Sequence, residues 1–123
     1  MNEYQKKLKK KMDEYAHLIY RIAKDFPRHE LYGIVSQIRR AALSIILNYI
    51  EGWARKKPLV RLNFLEISYG SLKESKYLLS FSLVEEYLNK NDYDHGIKLA
   101  DEIGAMLWKD IEGLKKFIDS NKN

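Results

Sequence analysis

Four basic residues in the middle of the chain are the side chains best placed to bind an anion. Arg55, Lys56 and Lys57 are consecutive, and Arg61 follows shortly after Pro58. A proline at this point predicts a corner between two helices, so the four cations should lie near helix ends, where they reach phosphates without disturbing core packing. We predict that they bind the phosphates of a nucleic acid.

A lysine cluster near the start of the chain is the second group of cations. It consists of Lys6, Lys7, Lys9, Lys10 and Lys11. We predict that Lys6, Lys7 and Lys10 extend the nucleic-acid surface; the alternative is a solvated, partly disordered arm. Trp53 is a further candidate, either as a ring that stacks on a base or as an anchor in the core.

The charge of the chain is unevenly distributed. Residues 1–60 hold 13 Lys and Arg against 6 Asp and Glu, whereas residues 61–123 hold 9 against 11, and the net charge is +5. This asymmetry favours an anionic partner, most often a nucleic acid and alternatively a membrane surface. A soluble protein with many lysines explains the net charge equally well.

The residue patterns of catalytic and metal sites are missing from the sequence. There is no cysteine, which excludes disulfides, thiolate nucleophiles and cysteine zinc sites. His17, His29 and His95 lack metal-motif spacing. The adjacent Glu85 and Glu86 do not converge on one substrate, and no Gly-rich phosphate loop is present. We therefore predict no enzyme activity, no metal and no cofactor.

The apolar segments of the chain are too short for a membrane protein. The first 20 residues lack the apolar core of a signal peptide, and no apolar run approaches the roughly 18 residues that span a bilayer. Together with the lack of cysteine, this predicts a cytoplasmic protein without a membrane partner.

Two prolines divide a chain whose apolar residues recur at helical spacing. Pro27 and Pro58 each suit the first turn of a helix. The pattern predicts helices over about 4–24, 28–51, 59–88 and from an N-cap at Asn91 or Asp92 to about 118. It predicts an all-α, antiparallel up-down-up-down four-helix bundle, a single domain over residues 1–123. The expected apolar side of the third helix consists of Val60, Phe64, Ile67, Ser71, Leu78, Phe81 and Leu88.

The second helix divides into sectors when its residues are placed about 100° apart. The core-facing sector consists of Leu31, Ile34, Val35, Ile38, Ala41, Ala42, Ile45 and Tyr49. A second apolar sector consists of Tyr32, Leu43, Ile46, Leu47 and Ile50. Since an exposed apolar stripe promotes association, we predict that this sector is a homo-oligomer interface; wrapping by long neighbouring helices of the same chain is the alternative.

A polar file runs along the edge of the second helix. It consists of Gln37, Arg40, Ser44, Asn48 and Glu51. Residues four apart meet along a helix, which pairs Arg40 with Ser44 and Glu51 with Arg55. Glu74 is a partner for Arg39 or Arg40 across the bundle, and Gly70 and Ser71 allow a close helix approach. We interpret these residues as a structural polar network; the alternative is that Arg40 lines the nucleic-acid surface.

Two segments of the chain resemble the signature of a known family: "QIRRAALSIILNYIEGWAR" and "FLEISYGSLKES". This is the family of four-helix-bundle proteins associated with intervening sequences of 23S ribosomal RNA. The matching positions are Gln37, Arg39, Arg40, Ala41, Ser44, Ile45, Asn48, Glu51, Gly52, Arg55, Phe64, Gly70, Ser71 and Glu74. Departures at Ile46, Leu47, Tyr49 and Ile50 enlarge the second apolar sector.

The resemblance implies a bundle that assembles into a ring, with a homopentamer the form associated with the fold. It also implies kinship with the accessory variability proteins of diversity-generating retroelements, which are basic rings that bind nucleic acid and partner a reverse transcriptase. We thus expect a non-catalytic, oligomeric accessory protein that binds RNA or DNA and assists an RNA element or a reverse transcriptase. The alternative is a protein-binding scaffold ring with no nucleic-acid role.

Overall fold

The computed structural model describes residues 1–122, which form four α-helices and no strand. The helices are α1 (Glu3–Ala23), α2 (Ile34–Ala54), α3 (Pro58–Val84) and α4 (Lys90–Ser120), with one 3₁₀ turn at Arg28–Glu30. Each helix packs against two others, α1 and α3 against both α2 and α4. The predicted all-α, antiparallel four-helix bundle is confirmed, and the ring stays a prediction. None of the described helices is long and apolar enough to cross a membrane.

The helix ends follow local backbone chemistry. Asn2 and Gln5 form a reciprocal capping box at the start of α1. Pro58 occupies the first turn of α3, as its ring geometry allows. The N-cap of α4 is Asn89, whose Oδ1 accepts a hydrogen bond from the backbone N–H of Asp92 at 2.8 Å, so the prediction of Asn91 or Asp92 was wrong by two or three residues.

Two helix boundaries differ from those predicted by four residues or more. α2 begins at Ile34 rather than near Arg28, because Gly33 has a non-helical backbone after the 3₁₀ turn. Leu31 therefore lies outside α2 and is 48% exposed rather than part of the core. α3 ends at Val84 rather than at Leu88, because Glu86 adopts a left-handed backbone with φ of 64° that cannot continue a helix.

The core-facing side of α3 is rich in serine, and our prediction of its apolar side was wrong. The buried residues of α3 are Leu65, Ser68, Leu72, Ser75, Leu78, Leu79 and Ser82, and of the expected apolar side only Leu78 is among them. Ser68, Ser75 and Ser82 recur every seven residues and are fully buried. Their hydroxyls donate to the backbone carbonyls of Ile45, Leu72 and Leu78, respectively, at 2.6 to 3.0 Å, which satisfies them in the core.

Tyr15 ties α1 to α3 across the centre of the bundle. Its hydroxyl lies 2.9 Å from Oγ of Ser75, and the side chain is fully buried. Burial raises the pKa of Tyr15 to about 12, an effect that the hydrogen bond to Ser75 opposes. The neutral phenol therefore persists throughout the physiological range.

Small residues bring α2 and α3 close together. A Cβ at Gly52 would lie 2.6 Å from Cδ1 of Leu65 and 3.1 Å from Cβ of Phe64. Farther from the α2–α3 corner in the same groove, Oγ of Ser44 lies 2.7 Å from Oγ of Ser71. Gly70 has no such role, since nothing lies within 4 Å of a Cβ added there, so its predicted part in the close approach was wrong.

Replacing these two glycines by alanine should give opposite results. Gly52→Ala forces Leu65 and Phe64 apart and is expected to destabilise the fold by about 1–3 kcal/mol. Gly70→Ala adds an open-space methyl to a helix and is expected to stabilise it by about 0.5–1 kcal/mol. Urea unfolding at one fixed protein concentration measures both. Equal effects of the two substitutions would contradict the close approach at Gly52.

Candidate nucleic-acid interface

The start of α1, the α2–α3 corner and the last turns of α4 lie at the same end of the bundle. The hydroxyl of Tyr4 donates to the carbonyl of Met106 at 2.9 Å. Asp110 accepts hydrogen bonds from Tyr49 at 2.5 Å and from Gln5 at 3.3 Å. Three helices are thereby joined around one carboxylate near the corner.

We call this region the basic end and define it as residues 1–13, 45–71 and 106–122. It holds 13 Lys and Arg against 7 Asp and Glu, whereas the rest of the chain holds 9 against 10. The charge asymmetry seen along the sequence therefore becomes an asymmetry between the two ends of the bundle. Positive charge is therefore concentrated at one end, and the other end is nearly neutral.

Within the α2–α3 corner, the basic residues differ in their freedom to bind. Arg55 pairs with Glu51 and also packs over the ring of Phe64, with its Cζ 5.3 Å from the ring centroid. Lys56 and Lys57 are exposed, and neither forms an ion pair within residues 1–122. These two lysines are the corner cations whose charges no carboxylate of the described chain neutralises.

Arg61 serves mainly to close the end of α2. Its Nε donates to the carbonyl of Gly52 at 3.2 Å, and its Nη2 donates to the carbonyl of Arg55 at 2.5 Å. The guanidinium also packs over Trp53, with Cζ 4.3 Å from the ring centroid. Carbonyls at a helix end need donors, so Arg61 is a structural cap and does not reach out as freely as the sequence predicted.

The lysines of α1 likewise fall into two groups. Lys11 forms a salt bridge of 2.7 Å with Glu102 of α4, and hydrogen bonding to Lys11 is the main reason that the pKa of Glu102 is lowered. Lys6 lies 3.5 Å from Glu3, and both side chains are exposed. The remaining lysines of the cluster are exposed and without ion pairs in the described chain: Lys7, Lys9 and Lys10.

Tyr49 is the buried partner that fixes Asp110. Burial raises the pKa of the Tyr49 hydroxyl, and the hydrogen bond to Asp110 raises it further. The pKa of Tyr4 is also raised, by burial first and then by the charge of Asp110. The end of the bundle is therefore held by neutral phenols around one carboxylate, and its free charges are on the outside.

The polar file forms only part of the predicted network. Asn48 Nδ2 donates to the carbonyl and to Oγ of Ser44, at 2.8 and 2.9 Å, and Ser44 meets Ser71 across the groove. Arg40 and Glu74 line one polar notch between α2 and α3, but no ion pair joins them, and no hydrogen bond joins Arg40 to Ser44, within residues 1–122.

Arg39 belongs to a different contact from the one predicted. Its Nη2 donates to the carbonyl of Tyr20 at 3.2 Å, and its Cζ lies 4.8 Å from the centroid of the Tyr20 ring. The residue therefore joins α2 to α1. It projects from one edge of α2, and the groove that holds Glu74 lies along the other edge. The predicted pair of Arg39 and Glu74 was wrong.

A second exposed surface, on α2 and α3, is apolar. It includes Tyr32 in the turn before α2, and Leu43, Leu47 and Ile50 on α2; Tyr32 is 92% and Leu47 is 58% exposed. Ile46 differs from this predicted set, since it is 9% exposed and packs in the core of the single chain. On α3 the exposed apolar side chains of this surface are Val60, Ile67, Tyr77, Phe81 and Val84. We call these nine exposed residues the apolar face.

Sequence reasoning missed the contribution of α4 to the basic end. Lys109 and Lys116 are exposed on its last turns, and Phe117 is 54% exposed beside them. The signal was available, because an up-down-up-down order places the end of the fourth helix beside the start of the first and the second corner. Residues 1–122 contain no group of three or more His, Asp or Glu side chains that can hold a metal ion.

Comparison with known proteins places this bundle in a family. The profile of the 23S rRNA-intervening sequence proteins matches residues 5–109. A crystal structure at 1.70 Å of a protein of unknown function from the S23 ribosomal protein family of Bacteroides thetaiotaomicron VPI-5482 has the same fold, with a TM-score of 0.82. Its identity to the chain is 24%, over 89% of this chain and 98% of that one. No curated protein matches the chain. The chain belongs to the 23S rRNA-intervening sequence protein family.

Proposed function

We propose that this chain is a non-catalytic, cytoplasmic accessory protein that binds RNA or DNA phosphates at its basic end. The observation that carries the proposal is the concentration of charge there, 13 Lys and Arg against 7 Asp and Glu. Lys56 and Lys57 at the corner, with Lys7 and Lys10 on α1, are exposed cations without ion pairs in the described chain. Exposed lysines neutralise phosphates without breaking packing.

The proposed binding is led by phosphates and depends little on sequence. Family membership supports RNA as the partner, since the family is named for the intervening sequences of 23S rRNA. In the related role that the sequence resemblance implies, the chain assists the reverse transcriptase of a retroelement. Both roles need the same basic surface.

We further propose that the apolar face joins copies of the chain into a homo-oligomer, a pentamer by resemblance. Leu43, Leu47 and Ile50 are exposed on α2, and Tyr32 lines one groove with Tyr77 and Phe81 of α3, so the exposed apolar area is spread over two helices. Exposed apolar side chains in this number are unfavourable in water. Assembly would bring several basic ends together and multiply the phosphate contacts available to one nucleic acid.

A protein-binding scaffold is the second candidate, and the apolar face is the observation that favours it. In that case the face is occupied by a different protein, and the lysines only keep the chain soluble. Binding of such a partner buries apolar area and should depend weakly on salt, whereas phosphate-led binding weakens steeply.

Removing the two free corner lysines should weaken nucleic-acid binding without unfolding the protein. For Lys56→Ala with Lys57→Ala, we expect lower affinity for a structured RNA at low salt. The slope of log K against log salt should become less steep by about 0.9 for each duplex phosphate that the variant no longer neutralises. Fluorescence anisotropy across a salt series measures both quantities, and circular dichroism checks helicity.

The matched control replaces two exposed lysines outside the basic end, Lys24 and Lys98, by alanine. It removes the same charge and should leave most of the affinity and the salt slope in place. Equal reductions of affinity in the two double variants would show that only net charge matters. No binding of the unmodified protein at low salt would contradict the proposed function.

Substitution on the apolar face should separate the copies. Leu47→Asp places a charge on a side chain that is 58% exposed in the single chain, so we expect light scattering to give a mass near 14.6 kDa with helicity retained. Ile46→Asp is the contrast, because Ile46 lies in the core and its replacement should unfold the bundle. A monomeric mass for the unmodified protein would contradict the assembly.

A further inference from the structure

We propose that a cleft at the basic end binds one unpaired nucleobase, so that the preferred ligand is single-stranded or bulged nucleic acid. The inference rests on the proposed function and adds a ligand class to it. The cleft has a volume of about 450 Å³, within the range of small-ligand sites. It is lined by Tyr4, Gln5, Trp53, Arg61, Lys109, Asp110, Gly113, Leu114 and Phe117.

Aromatic rings from three helices line this cleft: Tyr4 of α1, Trp53 of α2 and Phe117 of α4. Tyr4 is 38% and Phe117 is 54% exposed, so both rings are accessible from solution. A cluster of rings beside Lys109 suits a stacked base, because every base has a π-face and the adjoining phosphate can meet the cation. Gly113 keeps the α4 side of the cleft open, since a Cβ built there meets nothing within 4 Å.

One lining residue of the cleft carries an incompletely satisfied donor. Nε1 of Trp53 is buried and makes no hydrogen bond of normal geometry within residues 1–122, and the hydroxyl of Tyr49 is a polar group close to it. A buried N–H normally has an acceptor, and the ring nitrogens and carbonyl oxygens of bases are acceptors. A base with an acceptor that reached this donor would complete its hydrogen bonding, whereas a ligand without acceptors would not.

The charges in the cleft favour a base over a free phosphate. Asp110 lines the cleft, and its carboxylate repels a phosphate but accepts hydrogen bonds from the exocyclic amines of bases. Arg61 is committed to the carbonyls of Gly52 and Arg55 and to the ring of Trp53. Lys109 is exposed at the mouth, where it can meet the phosphate of the same nucleotide.

The fluorescence of Trp53 reports directly on this cleft. The chain has two tryptophans, so Trp108→Phe leaves Trp53 as the single reporter, and Trp108 does not line the cleft. The probes are a short single-stranded RNA and a blunt RNA duplex of the same length, titrated at low salt. We expect both to bind by anisotropy, but only the single strand to quench Trp53, because a paired base cannot enter.

A variant of the cleft tests the same point by affinity. In the Trp108→Phe background, Phe117→Ala removes an accessible ring, and we expect about a tenfold weaker affinity for the single strand with little change for the duplex. Leu59→Ala is the matched control, because Leu59 is an exposed apolar residue of the basic end that does not line the cleft. It should change neither affinity.

The outcomes separate this inference from the proposed function. Two results would overturn the base-binding cleft without contradicting phosphate binding. One is that both probes bind without quenching Trp53, and the other is that Phe117→Ala weakens the binding of both probes equally. No binding of either probe would overturn both. The cleft predicts that only the single strand quenches Trp53. This quenching should be abolished in Phe117→Ala and kept in Leu59→Ala.

Discussion

The close approach of α2 and α3 is the constraint on which the rest of the structure depends. Gly52 leaves no room for a side chain against Leu65, and Ser44 and Ser71 meet through their hydroxyls in the same groove. The inner side of α3 combines four leucines with Ser68, Ser75 and Ser82, and the other large apolar side chains of α3 project outward. The tight helix pair thus depends on small residues of both helices, and the exposed apolar side chains of α3 lie outside that contact.

This arrangement leaves two kinds of surface available for binding. The apolar face runs along the sides of α2 and α3, whereas the free lysines gather at the end where the corner, α1 and α4 meet. Asp110 holds that end together through Tyr49 and Gln5, and Arg61 closes α2 there. Leu47, Ile50, Val60 and Ile67 of the apolar face lie within the ranges that define the basic end, so the proposed assembly would set the basic ends of neighbouring copies side by side.

The sequence was sufficient for the helix order and the all-α bundle, because prolines and helical periodicity mark the corners and the elements. It failed for the orientation of α3, since Ser68, Ser75 and Ser82 make the buried side look polar while Phe81 and Ile67 make the exposed side look buried. At the candidate site, the corner lysines were visible in the sequence. The capping role of Arg61 and the cleft shared by α1, α2 and α4 depend on tertiary contacts that spacing along one helix does not encode.

Chemical footprinting of lysines tests the central claim, that nucleic acid binds at the basic end, most directly. The protein is treated with an amine-acetylating reagent, alone and with a structured RNA at low salt, and mass spectrometry measures the reactivity of each lysine. We predict that RNA protects Lys56, Lys57 and Lys10 and leaves Lys24 and Lys98 reactive. Protection confined to Lys24 and Lys98, or equal at all five lysines, would contradict the account.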